Sequence, residues 1–350
     1  MKSKLFLIVF ALFSFFKTNA QLNFHFDPVA FSGSNTEIIG TSRLTSTFSF
    51  SADIKVDDSD QWRHLIELGA QEFNWYCPFR LEVGEEGQWY VAVGDGEDYI
   101  DAEVSGQWKY GEWVKVLFTY ENGVAKLYEN GNLIKKFSSP LDVTSKSGTL
   151  ILGSNKGESR FFQGVIKNAQ LVSAVITPNT LFHFQSSSGF ELSKGKVLAN
   201  VSLKDLQSHT IHFEVKPLET INSWGNILHF GSNDDQRLPA IWFYPGQTRL
   251  HYRQATNIGT NTGFDPGFQL AKNKWTTVTI TWEVMPSDTH IKIYFDGVLK
   301  LQESKKLKPL IDYDTPIFAS SPWVTPAKAL LRQLIIFDKQ LTEEEIQTIN

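Results

Sequence analysis

The chain has 350 residues, 33 of them Lys or Arg and 38 Asp or Glu, for a formal net charge of −5 at pH 7. Hydrophobic residues make up 41% and aromatics 13%, enough for packed cores, which sets disorder aside. Neither half carries the basic patch that phosphate binding needs, which argues against a nucleic-acid partner.

The chain opens like a secretory signal peptide. Lys2 and Lys4 precede an apolar run from Leu5 to Phe16, and Thr18 and Ala20 are small residues placed for cleavage. The run is too short to cross a bilayer of roughly 30 Å as a helix. The expectation is a signal segment over 1–20, a mature chain from Gln21, no transmembrane segment, and a secreted, extracellular protein. Cys77 is the only cysteine. No intrachain disulfide is therefore available, and hydrophobic cores must hold the fold. Two readings of Cys77 stand: a buried small apolar residue, or an intermolecular disulfide.

Short alternating strands follow. Thr47–Val56 places Phe48, Phe50, Ala52, Ile54 and Val56 on one face, the period of a strand with one wet side. Strands are expected next at 63–68, 79–83, 89–93, 113–120 and 124–129. Asn130-Gly131 then makes a hairpin turn into 133–137, and strands at 149–152 and 164–172 close the half. The order repeats about 160 residues on. Strands at 210–215, 226–231, 240–244, 249–253, 275–282 and 291–295 follow, with Asp296-Gly297 in the place of Asn130-Gly131 and a last strand at 329–337. Gln185 to Gly189 is polar and turn-prone, and the boundary is placed there, giving domains over 21–184 and 185–350. Thr342 with Glu345 reads as a capping box starting a short C-terminal helix. Trp113, Trp275 and Trp282 are assigned to cores. From Gln21 to Phe182 there are 21 acidic against 13 basic residues, a net of −8; from His183 the counts are 17 and 17.

Each half resembles the laminin G-like, or concanavalin A-like, domain family. The first carries Gly111-Glu112-Trp113-Val114-Lys115-Val116, Leu127-Tyr128-Glu129-Asn130-Gly131 and Phe162-Gln163-Gly164-Val165-Ile166. The second carries Asn273-Lys274-Trp275-Thr276-Thr277-Val278, Ile293-Tyr294-Phe295-Asp296-Gly297 and Leu331-Arg332-Gln333-Leu334-Ile335-Ile336-Phe337. The resemblance implies an all-β chain of two tandem jelly-roll sandwiches. Its function classes span lectins, adhesion modules, pentraxin-like proteins and glucanases, so the site must decide.

Glucanases of this fold resemble one another in Glu-x-Asp-x-Glu on one strand, which puts three carboxylates on one face. The nearest stretch, Tyr99-Ile100-Asp101-Ala102-Glu103, has Tyr99 in the nucleophile's place, so no enzyme is expected. The expectation is an extracellular binding or adhesion protein that recognises glycans like a lectin. The alternatives are a matrix or coat component working through protein contacts, and a glucanase-like enzyme. Candidate ligand-binding residues are the aromatics Trp75, Tyr76, Trp242, Tyr244 and Tyr252, with His251 and Arg253 alternating on the next strand. Calcium-binding laminin G-like domains place an Asp just before the equivalent strand. Asp234 and Asp235 hold that place, with the loop from Asn257 to Asp265 to close the site; the alternative is a turn whose side chains satisfy its own backbone. Asn200-Val201-Ser202 is the glycosylation sequon.

Overall fold

The computed structural model describes residues 23–26, 28–58, 61–202, 208–310 and 314–349; the signal-like segment 1–20 and Gln21 lie outside them. Four antiparallel sheets form two sandwiches. In the first, the back sheet runs in spatial order through Asn23–Phe26, Gln163–Val172, Thr47–Val56, Trp113–Glu121, Val124–Glu129 and Asn132–Ser138, with Val29–Ser32 also on Gln163–Val172. Its front sheet runs Glu37–Arg43, Ser147–Leu152, Arg63–Leu68, Phe79–Val83, Gln88–Gly94, Tyr99–Ser105. The second back sheet runs Thr180–Glu191, Ala329–Phe337, His209–Pro217, Thr276–Val284, Thr289–Phe295, Val298–Lys305. The second front sheet runs Val197–Ser202, Asp314–Phe318, Gly225–Phe230, Ala240–Phe243, Leu250–Thr256, Gly259–Gly263. Strand for strand the two orders agree, so the repeat in sequence is a repeat in topology.

The local chemistry explains the pairing. Phe48, Phe50, Ala52, Ile54 and Val56 all turn into the first core. Asn130 and Gly131 have φ of 47° and 84°, and Asp296 and Gly297 have 47° and 70°. Such turns need positive φ at both positions, and their twist matches the flanking strands, which pins the register of each hairpin. Each core gives its large buried indole a partner: Trp89 Nε1 donates to Glu129 Oε2 at 2.6 Å, and Trp282 Nε1 to the Tyr252 hydroxyl at 2.9 Å. At the C-terminus the helix Glu343–Ile349 starts with a true capping box. Glu345 N donates to Thr342 Oγ1 at 3.2 Å, and Thr342 N to Glu345 Oε2 at 2.9 Å. Ile346 anchors that helix against Tyr294, Ile335, Phe337 and Leu341.

Three expectations need correction. Tyr252 is a core residue, fully buried and bonded to Trp282 and to Gln254 Oε1 at 3.1 Å, so it is not a ligand contact. Trp113 is 46% exposed on the outside of the back sheet, where Lys167 Nζ lies 4.1 Å and Lys55 Nζ 5.8 Å from its ring. Half-buried Trp275 holds the equivalent place, with Lys216 and Arg332 over it. Both tryptophans begin or precede their strands, where the ring packs under long cationic side chains rather than in the core. Finally, the strand Thr180–Glu191 runs through the expected boundary at 184/185 and pairs with Ala329–Phe337 of the second sandwich. The polar stretch Gln185 to Gly189 makes an irregularity inside that strand, between Gln185 and Phe190, rather than a linker.

The segment joining the sandwiches, 173–179, lies on the outside of the first back sheet. Ser49 Oγ donates to Ala174 O at 2.6 Å, and Ile176 packs with Leu117 and Val172. Beyond it Gln170 Oε1 accepts from His183 N at 3.0 Å, and Lys115 Nζ donates to Pro178 O at 2.8 Å.

Candidate functional site

The outer faces of the two front sheets occupy equivalent places. In the first, Glu67 stands opposite Arg80, and Arg80 opposite Ala92; in the second, His229 stands opposite Ala240, and Ala240 opposite Arg253. The sequence folds into the same lattice twice but hangs different chemistry on it.

On the first face the charges turn inward. His64, Glu67, Arg80 and Glu82 are all buried. His64 Nδ1 lies 2.8 Å from Glu67 Oε2 and its Nε2 lies 3.3 Å from Glu82 Oε1. Glu82 also meets Arg80 at 3.3 Å and Arg160 at 2.9 Å. Burial pushes the His64 imidazole down and Glu82 up, but their mutual hydrogen bonds win. His64 is raised above its ordinary value and Glu82 held below its own. Arg80 donates to Trp75 O at 2.5 Å and to the Tyr90 hydroxyl at 2.6 Å; that hydroxyl donates to Asp101 Oδ2 at 2.7 Å. The Arg80 guanidinium is roofed by Trp75, Tyr90 and Tyr99 at 4.8, 5.1 and 4.9 Å from their ring centres. Trp75, on the 3-10 turn Asn74–Tyr76, thus closes the network, while Tyr76, 43% exposed, meets Tyr99 edge to face. Tyr99–Ser105 is an edge strand, with Asp101 and Glu103 exposed and Tyr99 half-buried against Arg80. No carboxylate stands in the place of the missing nucleophile.

The second face is aromatic, with a largely closed floor: Trp242 and His229 are buried, Tyr244, His251 and Arg253 are half-buried, and the accessible rings are those of two loop tryptophans. Trp242, Tyr244, His251 and Arg253 come together there, as alternation along their strands requires. Trp224 and Trp323, 39% and 40% exposed, reach over the sheet from loops on either side. Trp224 packs on Tyr244 and His251 with ring centres 4.9 and 4.4 Å apart; Trp323 packs on His229 at 5.1 Å. Trp242 lies between them, 5.8 Å from His251 and 6.4 Å from His229, under the Arg237 guanidinium. Arg249 covers Tyr244 at 4.4 Å. Asp265 fixes the geometry: its carboxylate accepts from the Tyr244 hydroxyl at 2.7 Å, from Arg253 at 2.8 and 3.2 Å, and sits 3.4 Å from His251. Burial pushes that carboxyl up, and bonds from His251, Arg253 and Tyr244 overcome it and hold the group well below the usual carboxylate range. The arrangement offers flat apolar rings beside fixed donors, the chemistry that takes a sugar's C–H face and its hydroxyls together.

Trp224 and Trp323 were not among the sequence candidates, and Asp265 entered only as the end of the loop expected to close a calcium site. The signal for the two tryptophans was present: Asn222-Ser223-Trp224-Gly225 and Ser321-Pro322-Trp323 put large rings in loop chemistry, where a core position is hard to supply.

The proposed calcium loop is tied to itself. Asn233 Oδ1 accepts from the backbone of Asp235 and Gln236, at 3.0 and 3.1 Å, which is the self-satisfying turn. Arg237 lies 3.7 Å from Asp234 Oδ2 and bonds Asn261 Oδ1, so it bridges the two loops expected to enclose a cation. Asp234 Oδ1 is buried without a partner, and Asp235 is exposed. Calcium takes six to eight oxygens. One orphaned carboxylate oxygen beside a fixed guanidinium does not fit that set, and among the described residues no three His, Cys, Asp or Glu side chains gather as metal ligands. Cys77 is fully buried with its thiol pushed up to about 12 by burial, which fits the small apolar reading and leaves no surface for an intermolecular disulfide. Asn200 is exposed on the edge strand Val197–Ser202.

Among the described residues no helix is long and apolar enough to cross a membrane. No curated protein matches the chain. Among solved structures, the CBM40 of Ruminococcus gnavus IT-sialidase is 14% identical with a TM-score of 0.39, over 44% of this chain and 94% of that one. Domains LG4-5 of the mouse laminin alpha1 chain are 13% identical with a TM-score of 0.33, over 93% and 92%. Domain 4 of AbnA, an extracellular arabinanase from Geobacillus stearothermophilus, is 18% identical with a TM-score of 0.33, over 48% and 79%. A family profile matches twice, at residues 31–181 and 192–347, one match on each sandwich. The chain therefore belongs to the Laminin_G_3 family of the concanavalin A-like lectin/glucanases superfamily.

Proposed function

We propose that this is a secreted, non-catalytic protein that binds glycans through the outer face of its second front sheet. Carbohydrate binding is supported at the level of the family. What carries the choice of face is that two of the three exposed tryptophans, Trp224 and Trp323, stand on it above Trp242, Tyr244, His251 and Arg253. The rings supply stacking surface, and Arg253, His251 and Tyr244, held by Asp265, supply polar contacts. On the first face the aromatics are already engaged by Arg80, so Trp75 and Tyr76 serve the network before any ligand. The export reading rests on the segment from Lys2 to Ala20.

The test is a glycan array probed with the full mature chain and with Trp224→Ala/Trp323→Ala, each with and without a calcium chelator. Binding that disappears in the double variant and ignores the chelator is expected. Chelator-sensitive binding would restore the calcium reading at Asp234 and Asp235. No bound glycan together with self-association at micromolar protein would favour a matrix or coat component. Polysaccharide hydrolysis that vanishes in Glu103→Gln would overturn the non-catalytic reading.

A further inference from the structure

Three histidines line the place where the sandwiches meet, and none belongs to either front face. His25 lies on the strand Asn23–Phe26 at the edge of the first back sheet, opposite Gln170. His183 lies on the facing strand Thr180–Glu191 of the second back sheet. His212 lies two strands further in, so that it and His183 flank Ile335 of the intervening strand from either side. The His25 ring packs on Phe182 with centres 4.5 Å apart.

The polar groups around these rings are neutral. Gln170 spends its amide on His183 N and on Ser51 Oγ, at 3.0 and 2.9 Å. His212 Nδ1 meets Thr279 Oγ1 at 2.9 Å, and Gln333 supports the same ring. The charges bearing on His25 and His183 come from the other histidines: His183 acts on His25, and His212 on His183. The ion pair of the junction, Lys115 with Asp338 at 3.8 Å, lies by the joining segment at Pro178 and Thr180. His25 Nε2 and both ring nitrogens of His183 are shut from solvent with no hydrogen-bond partner. A ring in such a place is tolerated uncharged and strongly opposed as a cation.

We propose that the junction between the two sandwiches is an acid-opened seam, latched at neutral pH by the uncharged rings of His25 and His183. Burial, added to by the neighbouring ring, holds His25 down at about 3 and His183 at about 4. The sign follows from linkage. A folded-state value below the ordinary 6.5 means that the parted state takes up protons first, so the closed junction loses stability as pH falls from 6.5 towards 4. Restoring one ring to its ordinary value favours opening roughly 30-fold at pH 5, and both rings roughly 1000-fold. His183 and Gln170 meet on the outer faces of the two back sheets, while His25 reaches Phe182 at the margin of the second core, so parting exposes that margin and leaves the rest of each core packed.

Native-state hydrogen exchange on the full mature chain tests this, with amide rates normalised for intrinsic chemistry at about pH 7 and about pH 5. At the lower pH, exchange at His183, whose N–H bonds Gln170 Oε1 across the seam, is expected to rise by one to three orders of magnitude. The core strands Thr47–Val56 and Thr276–Val284 should keep their protection. His25→Phe/His183→Phe keeps the aromatic packing without a titrating ring and should abolish the acid response. If that double variant fails to fold, His183→Gln alone should remove about 30-fold of the response. Seam exchange unchanged between the two conditions would overturn the proposal. So would core strands that open in step with the seam, or an acid response that survives in the variants.

Discussion

The outer faces of the two front sheets share one lattice and solve opposite problems. The first buries His64, Glu67, Arg80 and Glu82 and roofs them with Trp75, Tyr90 and Tyr99; the second leaves Trp224 and Trp323 in solvent above a floor pinned by Asp265. Buried ion pairs add little net stability, yet removing one partner strands the others at high cost. The first face is thus a locked surface and the second a presenting one. Topology fixes where a face is; the residues opposite one another in register decide whether it is locked or presenting.

The largest expected effect is on the locked face. Glu82→Ala leaves His64 and Arg80 without their shared carboxylate and should cost about 3–5 kcal/mol in denaturant unfolding. A loss below about 1 kcal/mol would show that the network is not closed. On the second face, Trp224→Ala/Trp323→Ala should leave the unfolding midpoint nearly unchanged while glycan affinity falls at least tenfold, about 1.4 kcal/mol. Asp265→Asn should be intermediate. The carboxyl is held low in the folded state, so its stabilising contribution is present above 3.8 and lost as pH falls below that value. The variant should cost about 1–2 kcal/mol at neutral pH and flatten the acid limb of the stability curve, readable by thermal melts across pH. A last effect is a pH dependence confined to the locked face, small beside the loss of the network itself. His64 is raised in the folded state, so its contribution is complete below 6.5 and lost as pH rises through the higher folded value. His64→Asn should remove that alkaline-side loss while lowering stability throughout.

The alternation of Thr47–Val56 and the hairpins at Asn130-Gly131 and Asp296-Gly297 were legible because period and turn chemistry are local. So was the capping box at Thr342. Trp242, Tyr244, His251 and Arg253 could be brought together from alternation alone. What stayed hidden depends on register and on loops. Tyr252 reads as the partner of His251 and Arg253 on one strand, yet adjacent residues face opposite ways, and its hydroxyl found Trp282 in the core. Trp224 and Trp323 belong to no strand, and only the folded loops carry them over the sheet. Trp113 and Trp275 look like core residues by composition. Their position at the start of a strand instead places them under Lys167 and Lys55, and under Lys216 and Arg332. The closed histidine–carboxylate network could not be read from His64, Glu67 and Glu82 alone, because the strand irregularity between His64 and Ile66 sets which of them share a face.

The most direct measurement is calorimetric titration of the full mature chain with an oligosaccharide selected on the array, comparing Trp224→Ala/Trp323→Ala with Tyr76→Ala. Loss of at least tenfold in affinity for the double variant, with Tyr76→Ala binding like the parent, is the predicted result. Unchanged binding in the double variant would contradict the account, and loss in Tyr76→Ala alone would place the glycan on the first face.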